Sequence, residues 1–179
     1  MGPSESAPPI DKLPELAGVD IEVPEPPATG SAIIKKTENL KVTYNNTPFD
    51  LKVLSVSALE RDFVCEISIC ILDVRGMVAE AEIRMKKEKI GGVKAYVFVE
   101  NLDRESRGLG LTLWEISRRF VENFANKWNI SVKHEVNKRP GSGLSSQKWD
   151  ELFLPILEKY GYIKKEASGV DFWEKNYLP

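Results

Sequence analysis

The sequence is poor in the residues that most often carry metal and nucleophile chemistry. Among 179 residues there is one histidine, His134, and there are two cysteines, Cys65 and Cys70. A single histidine cannot complete a Cys/His zinc site, so no metal centre is expected. A histidine-based triad would have to use His134, and no serine or cysteine elbow motif accompanies it. The two cysteines are separated by an odd number of positions within an alternating apolar run. On a strand they fall on opposite faces, so they are not expected to pair and read as two small buried hydrophobes. No apolar run approaches the roughly 18 residues of a membrane-spanning helix. The stretch Met1 to Ile10 has neither a basic start nor an apolar segment, so a secretory signal is not expected. A cytoplasmic chain without membrane association follows as an expectation.

A strong excess of either charge is also missing. The formal net charge is -2, but the total divides unevenly. Residues 1–31 carry six acidic side chains against Lys12 alone, a balance of -5, and the rest of the chain stands at +3. A body so weakly basic gives no electrostatic argument for nucleic-acid binding. The hydrophobic fraction of 42% is enough for a buried core, and the length suits one domain with or without a tail.

Residues 1–31 hold seven of the eleven prolines and no aromatic residue. Such a segment buries too little apolar surface to offset its ordering entropy, so it reads as an extended, polyproline-like arm. It serves either as a linker or solubility tail, or as a docking peptide for a protein partner. The second role would use the anchors Ile10, Leu13, Leu16, Val19, Ile21 and Val23. Residues 32–179 form the folded domain.

Within that domain, Leu40 to Asn45 and Leu51 to Ser57 are short strand candidates. Asp62 to Asp73 and Met77 to Lys87 alternate and are joined by a turn at Val74-Arg75-Gly76. Gly91-Gly92 ends the second, and Val93 to Asn101 follows as a central strand. Leu109, Leu113, Ile116, Phe120 and Phe124 recur at helical spacing, which predicts a helix over about Gly108 to Lys127. Ile130 to Val136 is a strand, on which His134 shares a face with Val132 and Val136 and reads as a packed histidine. Asn137 to Gly143 is a loop. A helix capped by Ser145 or Ser146 runs to Tyr160, with Pro155 expected to kink or restart it and Gly161 to end it. Tyr162 to Glu166 and Val170 to Tyr177 close the chain as strands. The aggregate is an α+β domain, its sheet mixed but mostly antiparallel and flanked by helices.

Arg107-Gly108-Leu109-Gly110 stands between the central strand and the first helix. Glycines allow a tight turn and close approach to a ligand. The free amides of a helix start favour an anionic group such as a pyrophosphate. The plain alternative is a helix start at which glycine only eases packing. The clusters Lys86, Lys87, Lys89 and Lys133, Lys138, Arg139 read as solvated faces.

The order of these elements, the R-G-L-G helix opening, Leu157-Glu-Lys-Tyr-Gly-Tyr162 and the late aromatic pair Phe172-Trp173 together resemble the GNAT superfamily of N-acetyltransferases, over residues ~60–177. The resemblance implies acetyl-coenzyme A, or another coenzyme A species, as cofactor. Its pyrophosphate would be held by a loop of Ser106, Arg107, Gly108, Leu109, Gly110 and Leu111. The resemblance also implies a central strand whose splayed backbone holds the pantetheine arm, with the amide near Val99 polarising the thioester. An amine, free or on a protein, would be the acceptor, and direct attack of that amine the reaction. Glu100 is the candidate base for the ammonium, against the plain reading of a solvated strand-end carboxylate. The sequence departs from the family pattern at three places. Glu105 stands where an Arg or Gln is usual. Leu157 stands where a tyrosine protonates the leaving thiolate, which leaves Tyr160 as the nearest substitute donor. Residues 32–60 carry too few helical signals for the two helices that wall the acceptor site. A catalytically inactive binding or structural module of the same fold is therefore the alternative expectation.

Overall fold

A computed structural model describes residues 20–26, 34–44, 47–57, 63–89, 91–101, 109–138 and 146–179. Eleven-residue strands β1 (Ile34–Tyr44) and β2 (Thr47–Ser57) pair along their full length, from Tyr44↔Thr47 to Ile34↔Ser57. Both start earlier than their apolar residues suggest. The first half of β1 is polar because one of its faces is exposed and, among the described residues, its outer edge pairs with no strand. β3 (Phe63–Asp73) and β4 (Gly76–Lys87) are joined through Val74-Arg75. Gly76 takes φ 119°, a value that strains any residue with a Cβ. β5 (Val93–Asn101) completes the antiparallel meander.

Helix α1 (Leu109–Trp128) returns the chain so that β6 (Val132–Asn137) lies parallel to β5. Helix α2 (Ser146–Lys159) leads into the hairpin β7 (Ile163–Ala167) and β8 (Val170–Tyr177). Helix α2 runs unbroken through Pro155, contrary to the expected kink, and the proline is exposed. The β7–β8 turn is Ser168-Gly169, both at positive φ, the conformation that matches the twist of a two-residue hairpin. Among the described residues the sheet has eight strands in the order β1-β2-β3-β4-β5-β6-β8-β7. Only β5 and β6 are parallel. The molecule is therefore α+β, with a mostly antiparallel sheet and two helices. No helix among the described residues is long and apolar enough to cross a membrane.

Alternation sorts the sheet into two unlike faces. One, the core face, presents Leu51, Ile69, Ala81 and Ile83, all at most 5% exposed. α1 lies across this face against β4, β5, β6 and β8. α2 joins it on the same side: Trp149 stacks near Trp173 of β8, and Phe153 meets Trp114 of α1 edge-on. The amphipathic stripe expected for α1 understates its burial, since every residue from Leu111 to Arg118 is buried.

Residues 20–26 also lie on the core side. Ile21 and Val23 are 3% and 5% exposed within the core. Glu22 pairs with Lys36 on β1. The carbonyls of Val23 and Pro24 accept from Lys127 Nζ at 2.7 Å and Trp128 Nε1 at 2.8 Å. This stretch of the acidic segment thus straps β1 to the end of α1. Two of the anchors considered for a partner are used inside the chain itself; Ile10, Leu13, Leu16 and Val19 lie outside the described residues.

Candidate functional site

The pairing of the two parallel strands stops short of their ends. The β5–β6 ladder covers four pairs, from Val93↔Val132 to Tyr96↔Glu135. Beyond it β5 continues to Asn101, still paired with β4, and β6 turns its other edge to β8 as far as Asn137. Val99 is half-buried on this diverging part of β5. The start of α1 follows in the chain. Leu109 and Leu111 are 0% and 9% exposed, and Gly110 is half-buried. The two leucine side chains belong to the core, so toward a ligand this turn offers backbone amides rather than side chains. Its first turn carries no acidic residue to oppose an anion. Ser106, Arg107 and Gly108, together with Glu105, lie outside the described residues.

The candidate base and the candidate acid stand apart. Glu100 lines an open cavity on the sheet face opposite the helices. Tyr160 sits on the helix side, where its hydroxyl donates to Glu115 at 2.8 Å and its ring lies 3.8 Å beneath the Arg118 guanidinium. Burial, reinforced by the Glu115 hydrogen bond, pushes this phenol up to about 12. A phenol so held is a weak proton donor. Leu157 is 1% exposed and has no proton to give.

Sequence reasoning did not find the polar chain around Tyr160. Arg118 grips Glu115 through two 3.0 Å hydrogen bonds, and both residues are buried. The same guanidinium donates to Tyr177 at 3.4 Å. Tyr177 and Tyr162 join hydroxyls at 2.9 Å, and Tyr162 meets His134 Nδ1 at 2.5 Å. Either hydroxyl can donate in the Tyr177–Tyr162 contact, and the roles of Tyr162 and Nδ1 follow the imidazole tautomer. Among the described residues His134 Nε2 is buried with no partner. Complete burial, helped by Arg118, holds the imidazole down to about 3. His134 is therefore a neutral core residue, as its place between two valines predicts. The signal for the network was present as four polar residues within an apolar helix pattern and three tyrosines near the end of the chain, but only packing joins them.

The open face carries charge in rows. The register aligns Lys52, Cys70, Glu80 and Glu100 across β2 to β5. The next row is Leu54, Ser68, Glu82 and Phe98. Glu82 accepts from Arg84 at 2.7 Å. Burial and a hydrogen bond to Glu82 raise the Glu66 carboxyl above its ordinary range. Cys65 and Cys70 are free thiols on opposite faces, as their spacing requires. Only Cys65 is the buried hydrophobe expected, its thiol pushed up to about 12 mainly by burial. Cys70 is half-exposed and lines the cavity, because among the described residues no helix lies over its face of the sheet. Among the described residues no group of three or more His, Cys, Asp or Glu is arranged to hold a metal ion.

No protein-family model matches this chain, and no curated protein matches it.

Proposed function

We propose that the chain is an acyl-coenzyme A-dependent N-acyltransferase of the GNAT type, transferring an acetyl group from acetyl-coenzyme A to an amine. The observation that carries the reading is the parallel ladder that stops at Tyr96↔Glu135 while both strands continue. A widening gap between parallel strands exposes backbone to an extended amide-bearing ligand, and a helix N-terminus follows in sequence for its pyrophosphate. The order of the last four strands and two helices supports the same reading, because the resemblance implies a splayed central strand followed by helix, strand, helix and hairpin. In this scheme the amides at Val99 and in the Ser106–Leu111 loop act on the cofactor, and Glu100 takes a proton from the acceptor ammonium, so that the neutral amine attacks the thioester carbonyl and coenzyme A leaves as its thiol.

The reading is tested by following thiol release from acetyl-coenzyme A with a panel of primary amines. Glu100→Gln is expected to lower the rate roughly 10²-fold, the usual worth of a positioned base. An unchanged rate removes Glu100 from the mechanism.

A second reading has its own support. Tyr160 is committed to Glu115, Leu157 is buried, and β1 runs directly into β2 where two helices would wall the acceptor site. These favour a non-catalytic module of the same fold that retains cofactor binding. Binding of acetyl-coenzyme A without thiol release for any amine is the outcome that selects it.

A further inference from the structure

The open face of the sheet holds a cavity of about 850 Å³, within the range of small-molecule sites, roughly 300–1,000 Å³. Its charges are divided by wall. Lys35 and Lys52 stand on the β1–β2 side; Glu80, Glu82, Arg84 and Glu100 stand on the β4–β5 side, where Arg84 pairs with Glu82 and leaves a net negative wall. Glu80 and Glu100 are direct cross-strand partners. Like charges so placed repel each other, which costs stability unless a cation lies between them. Neighbouring charges on this face are neutralised locally: Glu82 has Arg84, and Asp50 has Lys41. Lys52, Glu80 and Glu100 form no ion pair among the described residues. Lys52 cannot supply the missing cation from its place in the row, because the Cys70 strand separates it from Glu80. Two strand spacings put the backbones about 10 Å apart.

We propose that this cavity binds a short extended peptide with free ends, lying across the strands. Its α-ammonium sits between Glu80 and Glu100, and its carboxylate sits on Lys52. Three or four residues fit, since an extended chain advances roughly 3.3 Å per residue and the point between Glu80 and Glu100 lies two and a half strand spacings, about 12 Å, from Lys52. The ammonium relieves the carboxylate repulsion, and the carboxylate meets the cationic wall. Cys70 lies beneath the middle of the peptide. The assignment deepens the acyltransferase reading and rests on it for the fate of the amine, which Glu100 would deprotonate; binding itself needs no cofactor.

The probe is trialanine, titrated into the full chain without acetyl-coenzyme A and followed by calorimetry. Alkylation of Cys70 by iodoacetamide is read in parallel by mass spectrometry, with buried Cys65 as internal control. Trialanine is expected to bind and to slow Cys70 alkylation several-fold. N-acetyl-trialanine and trialanine amide, which each lack one charge, are expected to bind at least tenfold more weakly. Glu80→Gln should weaken trialanine while leaving the N-acetylated peptide unchanged, and Lys52→Met should weaken trialanine while leaving the amide unchanged. Absence of trialanine binding, equal binding of all three peptides, or binding without protection of Cys70 overturns the proposal. Loss of the acyltransferase reading is detected separately, by the cofactor titration alone, and leaves these peptide results standing.

Discussion

His134 shows how a single residue's environment sets its chemistry. Its ring is wholly buried between Trp114 and Tyr162, and the Arg118 charge adds to the effect of burial. Its folded pKa is therefore held down to about 3, below the unfolded value near 6.5. Below pH 6.5 the unfolded chain takes up a proton that the folded chain refuses, so stability falls as pH falls. The slope approaches about 1.4 kcal/mol per pH unit, and the full loss by pH 3 is on the order of 5 kcal/mol. Urea unfolding between pH 7.5 and 5 reads this group, the one histidine, against the opposite effect of the raised Glu66 carboxyl. His134→Gln should remove the slope, and an unchanged slope in the variant assigns the acid sensitivity elsewhere. The position of His134 on a strand face between Val132 and Val136 was readable from the sequence. Its partners Tyr162 and Tyr177 were not, because no local pattern specifies which hydroxyls meet across β6, β8 and the turn after α2.

At the scale of elements, the boundaries of β3 to β8 and both helices follow from alternation, helical spacing and the positive-φ glycines at 91, 92, 161 and 169. Besides the early start of β2 and the unbroken α2, two departures from expectation have identifiable reasons. β1 is longer than its apolar residues indicate, because a full-length hairpin with β2 supplies its hydrogen bonds. The acidic segment reads as a tail by composition, yet Ile21 and Val23 are core residues held by Lys127 and Trp128. Composition averages over the segment and hides a short stretch that finds a groove. Ile21→Ala is expected to cost about 2 kcal/mol, at the low end for a core truncation because the site borders the surface. That loss lowers the melting temperature by several degrees in a chain of this size. The exposed Asp20→Ala should change stability by no more than about 0.5 kcal/mol. Equal effects of the two substitutions would mean that the strap contributes nothing to the fold.

At the scale of the whole molecule, both helices and the strap cover one face of the sheet, and among the described residues nothing is packed over the other. The open face is where the candidate base Glu100 lies, and the helix face is where Tyr160 is locked to Glu115. The sequence contained both residues and the charged alternation of β4, but their separation depends on strand register and on which face the helices choose. The R-G-L-G opening of α1 was legible from its position alone, and the gap beside β5 was not, since pairing between distant strands leaves no local mark. The central claim joins these two features into one cofactor site. Calorimetric titration of acetyl-coenzyme A into the intact chain tests it most directly, with Gly108→Trp as the blocked variant. The account predicts saturable one-to-one binding that the tryptophan abolishes. No binding at millimolar cofactor, or binding that survives the substitution unchanged, would contradict it.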